Sequence, residues 1–304
     1  MLKIILAALV FISFNANARD YISVVGSSTV YPFATLVAER LGENGYNTPV
    51  IESTGTGGGM KLFCDGVGVG KPDITNASRA IKDKELKLCH DNGVKNIDQV
   101  IVGLDGIAFA SSNSGDSFNF TKEQLWLAIA AEGPLPKKWS DIDPDLPNYE
   151  IAILMPPPTS GTRDAWNSLV MKKGCPEGVK ECKTIREDGA VVEAGENDAL
   201  IVHKLNAEPE RFGIFGYSYY DGNKDTIQAH TIENVEISLE SIQDGSYPIS
   251  RPLYFYVKVD HYGVIPGLDA YIAEFTSEEA VEGYLSDKGL VPLANPKDAI
   301  ISIK

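Results

Sequence analysis

The sequence is poor in the residues from which many enzymes build a reactive centre. It has four cysteines and four histidines among 304 residues, and it contains no CxxC, HExxH or GxSxG motif. The histidines are scattered, at His90, His203, His230 and His261. A metal centre needs clustered ligands, and a covalent catalyst needs a nucleophile held beside a base. We therefore expect no metal, no cofactor and no enzymatic activity.

Long apolar runs are absent after the first 18 residues. Lys3 precedes the apolar run 4–12, and the small-x-small site Ala16-Asn17-Ala18 comes just before Arg19. This order is typical of a secretory signal peptide, whereas a membrane anchor needs about 20 apolar residues. The sequence thus predicts a cleaved segment over 1–18 and a soluble, exported mature protein.

Positive charge is also scarce. The formal net charge is −15, and removal of 1–18, which carries Lys3 and no acid, brings it to −16. A field of this sign repels nucleic acid and anionic lipid, so we expect neither as a partner. It repels small anions too, and any anion site must therefore be built locally.

The four cysteines suit pairing, because their number is even and export exposes them to an oxidising compartment. Cys175 and Cys182 bracket a short loop with proline and glycine, which leaves Cys64 for Cys89. We predict these two disulfides over free thiols or a metal site.

Periodicity predicts strands that alternate with helices, and this favours the α/β class with mostly parallel sheets flanked by helices. There is no internal repeat or low-complexity tract. The predicted strands cover 21–25, 50–52, 100–103, 107–110, 151–154, 213–219 and 252–259. The predicted helices cover 32–41, 60–64, 164–173 and 277–288. We assign the alternating aromatic residues at 215–220 to the packing of a core strand.

Four loops share one local pattern, in which a strand ends in small hydroxyl or glycine residues and a helix or turn begins. They are GSSTVYP at 26–32, STGTGGGMK at 53–61, DITNASR at 73–79 and TSGTRDA at 159–165. Helix N-termini carry unpaired N–H groups and positive partial charge, and hydroxyl groups add donors. One such loop is ordinarily a helix cap or a turn, but four of them, with Arg79 and Arg163, indicate an oxyanion site.

These motifs, with EAGENDALI at 193–201 and YPISRPLYFYV at 247–257, resemble the phosphate-binding proteins of bacterial phosphate ABC transporters over essentially the whole mature chain. The resemblance implies a two-lobed periplasmic-binding-protein fold that takes inorganic phosphate to an inner-membrane permease. It also implies a periplasmic location, and we expect a monomer. Crossovers near 103–106 and 250–251 would divide the chain into one lobe of 19–103 plus 251–304 and another of 104–250.

Carried onto this sequence, the resemblance implies a set of phosphate-binding residues from all four loops. They are Ser28, Thr29, Val30, Thr56, Ser78, Arg79, Ser160, Gly161, Thr162 and Arg163. Two positions depart from the better-known branch of the family, which has aspartate where this chain has Arg79 and arginine where it has Pro156.

The missing aspartate bears on specificity, because phosphate near neutral pH carries a proton that needs an acceptor, and sulfate does not. Asp164, Asp105, Glu193 or a backbone carbonyl could accept that proton, and the sequence does not choose among them.

Other functions remain open at this stage. Another tetrahedral oxyanion, such as sulfate or molybdate, or a phosphate ester would suit the same donors. A phosphatase-type enzyme is less favoured, since the segment 66–71 imitates a phosphate loop but Pro72 stands where that motif needs Ser or Thr. An adhesin or structural surface protein is disfavoured by the absence of repeats.

Overall fold

A computed structural model describes residues 19–68, 70–195, 198–295 and 299–303. The predicted signal peptide over 1–18 lies outside these residues. In the described part of the chain, no helix is long and apolar enough to cross a membrane.

Strands and helices alternate along the chain. The strands are β1 Ser23–Gly26, β2 Val50–Ser53, β3 Ile74–Ala77, β4 Ile97–Ser112, β5 Asn119–Phe120, β6 Ile153–Met155, β7 Val191–Glu193, β8 Phe212–Gly216, β9 Ile227–Ala229, β10 Thr231–Ile232, β11 Ser250–Lys258 and β12 Ile300–Ile303. The α-helices are α1 Tyr31–Glu43, α2 Thr56–Phe63, α3 Asp83–Asp91, α4 Lys122–Ile129, α5 Gly161–Trp166, α6 Asp198–Ala207, α7 Tyr217–Asp221, α8 Leu239–Gln243, α9 Leu268–Phe275 and α10 Leu285–Asp287.

A single path of strands runs through the molecule in the order β2-β1-β3-β11-β4-β8-β6-β7, and β9 and β12 also pair with β4. Strand β1 is parallel to β2 and β3, and β6 is parallel to β7 and β8. We call the part built on β1–β3 the first lobe and the part built on β6–β8 the second lobe. The predicted α/β, two-lobed fold is confirmed, with a parallel trio of strands in each lobe.

Strands β4 and β11 join the lobes and are antiparallel to each other and to their other neighbours. The prediction of two short strands interrupted at Asp105-Gly106 is wrong. Here β4 is continuous, because Asp105 lies opposite Arg251 and Gly106 opposite Ser250, so the ladder with β11 passes through both residues. The predicted crossovers fall on this paired segment, and the exact division into lobes stays a prediction.

Each lobe has its own apolar core. The buried core of the second lobe is drawn from 104–249 with Val291, and its aromatic centre includes Phe109 stacked on Phe212 with 5.1 Å between ring centroids. The core of the first lobe lies on both faces of its sheet. One face packs α1 and α9, and the other packs α2 beside the disulfide Cys64–Cys89.

Both predicted disulfides are present in the structure. Cys64–Cys89 links the end of α2 to α3, and Cys175–Cys182 closes a loop of the second lobe. The first disulfide thereby joins two helices within a buried core, and the second restrains a loop.

Two predicted elements are wrong in part. The strand predicted over 213–219 ends at Gly216, and Tyr217–Asp221 is a short helix in which the hydroxyl of Tyr217 donates to Asp221 at 3.0 Å. The helix predicted over 277–288 is broken, because Gly283 has non-helical φ and ψ of −107° and −117°. Glycine has no Cβ and tolerates such a backbone conformation.

Candidate functional site

Three of the four predicted loops meet at one edge of the first lobe. Strands β1, β2 and β3 are parallel, so the loops that follow their carboxyl ends lie side by side. The bend after β1 requires Gly26, which has a φ of +125° and whose Cβ, if present, would be 2.2 Å from the carbonyl oxygen of Asn76.

The fourth loop approaches from the second lobe. Strand β6 ends at Met155 and α5 begins at Gly161. A Cβ on Gly161 would lie 2.6 Å from the Cα of Thr29, so the N-terminus of α5 packs directly against the loop before α1. The two lobes therefore touch at this point, and the four loops converge.

Two chambers lie near this contact. The first chamber, of about 480 Å³, is lined by Ser28, Thr56, Ser78, Arg79, Asp164 and Arg251 among other residues. The second chamber, of about 540 Å³, is lined by Ser28, Thr29, Asp105, Ser160, Gly161 and Thr162 among others. Ser28 lines both chambers, and the predicted donors are thus divided between neighbouring spaces rather than gathered in one.

The hydroxyl groups of the first lobe are held by short local bonds. The hydroxyls of Thr56 and Ser78 lie 3.1 Å apart, and the N–H of Ser78 donates to Thr56 Oγ1 at 3.1 Å. The N–H of Thr29 donates to Ser27 Oγ at 3.2 Å. Val30 is fully buried, and its side chain belongs to the core beneath α1. Only the backbone of Val30 is thus suited to a ligand.

Arg251 is the cation at the boundary between the chambers, and the sequence analysis missed it as a site residue. It is 8% exposed. Its guanidinium donates to Asp105 Oδ2 at 3.3 Å, Asp164 Oδ2 at 3.1 Å, Ser168 Oγ at 3.4 Å, Thr29 Oγ1 at 3.1 Å and the Gly161 carbonyl oxygen at 3.3 Å. The available signal was a single arginine directly before the apolar and aromatic strand segment 252–257.

Asp164 is the carboxylate that faces the first chamber. Ser78 Oγ donates to Asp164 Oδ2 at 3.3 Å, and the carboxylate is 49% exposed. Asp105 is more enclosed, and burial raises its pKa although Arg251 opposes the shift. Glu193 lies beside Arg163 and lines neither chamber. Asp164 and Asp105 each lie in a chamber with hydroxyl groups, and Asp164 is the one that accepts a hydrogen bond from a predicted hydroxyl donor, Ser78.

Arg79 lines the first chamber, but its charge is already paired. Its Nη1 and Nη2 donate to the two carboxylate oxygens of Glu85 at 2.8 and 2.7 Å. A bidentate pair of this kind fixes the guanidinium, and the carboxylate of Glu85 neutralises its positive charge within the first lobe. The structure therefore gives Arg79 a weaker basis as an anion ligand than its sequence position indicated.

Arg163 is placed differently from the prediction. It is 6% exposed, its Nη1 donates to the Pro156 carbonyl oxygen at 3.0 Å, and Glu193 lies 3.6 Å away. It lines neither chamber. Its helical position turns the side chain back under the loop that precedes α5, so Arg251, and not Arg163, is the buried arginine of the cleft.

The described residues contain no group of three or more His, Cys, Asp or Glu side chains that could hold a metal ion. The chemistry available in the cleft is that of hydroxyl groups, backbone N–H groups, carboxylates, the buried Arg251 and several basic side chains nearer the surface.

Comparison with known proteins gives consistent results. Residues 14–279 match the PBP superfamily domain. The chain is 31% identical to the protein SphX of Synechocystis over 285 residues, which cover 89% of this chain and 79% of SphX. It is 33% identical to the phosphate-binding protein PstS of Staphylococcus saprophyticus over 238 residues, which cover 76% of this chain and 68% of PstS.

Solved structures of the same fold are also similar. A possible phosphate-binding protein from Planctomyces limnophilus superposes with a TM-score of 0.78 at 26% identity, covering 91% of this chain and 95% of that protein. An ABC-type phosphate transport receptor from Vibrio cholerae gives 0.66 at 19% identity, covering 89% and 99%. At 19% identity, the similarity to the Vibrio cholerae receptor shows a shared fold and no more.

Proposed function

This chain belongs to the PBP superfamily, among the relatives of SphX and PstS, and from that premise we propose that it captures inorganic phosphate and delivers it to an ABC importer. The motif resemblance read from the sequence is confirmed at the level of the family. Capture would take place in the periplasm, after removal of the segment 1–18. The protein would act as a monomer, and it would hydrolyse no phosphate ester.

The convergence of hydroxyl donors, one buried arginine and one carboxylate between two lobes supports this function most directly. Ser28, Thr56 and Ser78 come from the first lobe, Arg251 from the connecting strand and Asp164 from the second lobe. Hydroxyl and guanidinium groups donate to the phosphate oxygens, and charge-assisted bonds in a buried site are the stronger ones.

We place the phosphate at the boundary between the chambers, where Ser28 faces both. There the anion can receive donors from the first chamber and from Thr29, Ser160, Gly161 and Thr162 of the second. The N-terminus of α1, a helix of 13 residues, adds positive partial charge at the same boundary.

Asp164 supplies the selectivity for phosphate in this proposal. A carboxylate accepts the proton that phosphate carries near neutral pH, whereas unprotonated sulfate would face it as a like charge. The half-exposed position of Asp164, beside Ser78 and Arg251, gives it access to the ligand without isolating it in the core.

Titration calorimetry tests the function. We expect one phosphate per chain, competition by arsenate, and much weaker binding of sulfate and molybdate. The same preparation should give no sustained turnover of a chromogenic phosphate ester. Tighter binding of sulfate than of phosphate, a stoichiometry of zero, or turnover by homogeneous protein would contradict the proposal.

The predicted boundaries are part of the same proposal. We assign 19–103 with 251–304 to the first lobe and 104–250 to the second, and we place the hinge at the paired residues 103–106 and 250–251. The separate cores of the two lobes support this division, and among the described residues buried Val291 and partly buried Leu293 cross it.

A further inference from the structure

The first chamber carries more positive charge than the rest of this acidic protein would suggest. Five basic side chains line it, Arg79, Lys82, Lys172, Lys183 and Arg251, against one acidic side chain, Asp164. In a protein whose formal net charge is −15, this local excess of one sign is a distinct feature.

The charges of the two arginines are neutralised by neighbours. Arg79 is paired with Glu85, and Arg251 lies between Asp105 and Asp164. No salt bridge is found for the three lysines within the described residues, and all three are exposed. The net positive charge of the chamber therefore comes from Lys82, Lys172 and Lys183, of which Lys82 is also attracted by Glu85.

These lysines come from both sides of the cleft. Lys82 precedes α3 in the first lobe, and Lys172 and Lys183 flank the loop closed by the disulfide Cys175–Cys182 in the second. The disulfide ties the two ends of that loop together and so keeps Lys172 and Lys183 near each other. Both line the chamber from the second lobe, whereas Lys82 lines it from the first lobe.

An anion that approaches this protein meets a repulsive field at long range, and the paired charges around Arg251 offer little attraction beyond contact distance. A cleft lined by charge of one sign focuses the field locally and raises the association rate of an opposite charge by about 10- to 1000-fold. The three lysines at the chamber, which have no salt-bridge partner among the described residues, supply such a positive field. The hydroxyl donors carry no net charge and therefore do not.

We infer that Lys82, Lys172 and Lys183 form an outer anion subsite, which holds the incoming phosphate before it reaches the hydroxyl donors and Arg251. The subsite sets the rate of capture, whereas the inner donors set the rate of release. This inference rests on the proposed function, since it takes inorganic phosphate as the ligand.

Stopped-flow fluorescence of the mature protein with inorganic phosphate tests the subsite. The test variant is the triple substitution Lys82→Gln, Lys172→Gln and Lys183→Gln. The control is Lys84→Gln, Lys173→Gln and Lys180→Gln, which changes the net charge equally at exposed neighbouring lysines that do not line the chamber. Association and dissociation rates are measured at low and at high ionic strength.

We expect the test variant to associate about tenfold more slowly at low ionic strength, with its dissociation rate unchanged, and the control to match the parent protein. The difference should shrink at high ionic strength, because salt screens exposed charges. Equal slowing in both triple variants would attribute the effect to net charge and overturn the subsite. So would a faster dissociation with an unchanged association rate.

Failure of the proposed function looks different from failure of the subsite. If the parent protein binds no phosphate, both are contradicted. If the parent binds phosphate and the two triple variants behave alike, only the outer subsite is contradicted.

Discussion

Arg251 Nη1 lies 3.1 Å from Asp164 Oδ2, and this ion pair joins the strand that connects the lobes to the first turn of α5. The same guanidinium donates to Thr29 Oγ1 in the first lobe. One side chain thus contacts both walls of the cleft at the place where the ligand is proposed to lie. It is the residue on which the affinity for phosphate should depend most.

Arg251→Ala should raise the dissociation constant for phosphate at least 30-fold. Removing one partner from a buried, hydrogen-bonded set of charges costs about 2–5 kcal/mol, because the remaining charges are left unpaired. Calorimetry measures the loss. Arg251→Lys, which keeps the charge but not the fork of donors, should fall in between, and Arg211→Ala, at an exposed pair with Glu208, should bind as the parent does. Unchanged affinity in Arg251→Ala would remove this residue from the site.

Arg163→Ala should affect stability more than binding. The side chain is buried, donates to the Pro156 carbonyl oxygen and lines neither chamber. Loss of a buried hydrogen bond from a charged donor costs about 1.5–3 kcal/mol. Urea unfolding should show this decrease in the free energy of unfolding, while the dissociation constant for phosphate changes less than tenfold. A loss of affinity without a loss of stability would support the original sequence-based assignment of Arg163 as a ligand.

Asp164→Asn should reduce the preference for phosphate over sulfate. The amide keeps the shape of the carboxylate but cannot serve as an anionic acceptor for the phosphate proton. We expect phosphate to bind at least tenfold more weakly and sulfate to bind more tightly, measured by paired titrations. Glu193→Gln is the matched control, because this acid lies beside Arg163 and away from the chambers. An unchanged ratio in Asp164→Asn would assign the acceptor role elsewhere.

The buried histidine of the second lobe should make the protein sensitive to acid. His230 is 1% exposed, accepts from the N–H of Phe118 at its Nδ1 and lies 3.0 Å from Ser111 Oγ through its Nε2. Burial lowers the pKa of His230 from 6.5 to about 3. Because the folded pKa lies below the unfolded one, only the unfolded state takes up this proton between these values. Stability is therefore lost as the pH falls from about 6.5 towards 3.

The expected slope from this one histidine is about 1.4 kcal/mol per pH unit within that window. Urea unfolding of the parent and of His230→Gln at several pH values isolates it, since other groups contribute equally to both proteins. The variant should be less stable at pH 7 but lose less stability on acidification. Parallel pH profiles would show that His230 is not the group responsible.

Phosphate should close the two lobes about the segment where β4 and β11 are paired. The ligand can reach donors of both lobes only when these meet, and it therefore favours the closed state by its extra affinity for that state. Small-angle scattering should show a smaller radius of gyration at saturating phosphate than without it. An identical profile in both conditions would indicate a rigid, preformed pocket and leave binding itself unaffected.

The sequence was informative about the loops because their chemistry is local. Glycine at position 26, Pro32 in the first turn of α1 and the hydroxyl residues before α1 and α5 dictate backbone conformation within a few residues, so the four loops could be recognised without a fold. The disulfide Cys175–Cys182 and the mostly parallel sheets also followed from local patterns, and Cys64–Cys89 then followed by elimination. The family resemblance then supplied the two-lobed arrangement.

The charges of the site were harder to predict because they depend on partners distant in the chain. Arg163 stands next to the Ser-Gly-Thr loop, yet its side chain turns towards Pro156, whereas Arg251 reaches the site from 87 residues beyond Asp164. Arg79 was expected to meet an anion, but it is paired instead with Glu85, which lies in the first turn of the next helix. Tertiary packing determines which partner each charged side chain meets, and a single sequence does not show that packing.

The order of the strands has a consequence for how the protein forms. The sheet of the first lobe contains β11 and β12, which lie at the end of the chain, and β11 is placed between β3 and β4. The second-lobe core, by contrast, draws almost entirely on the continuous segment 104–249. A chain that emerges N-terminus first can therefore complete the second lobe early, since domains generally fold as units. The first lobe cannot complete its sheet until β11 and β12 have been synthesised, and β3 lacks its β11 neighbour during this interval.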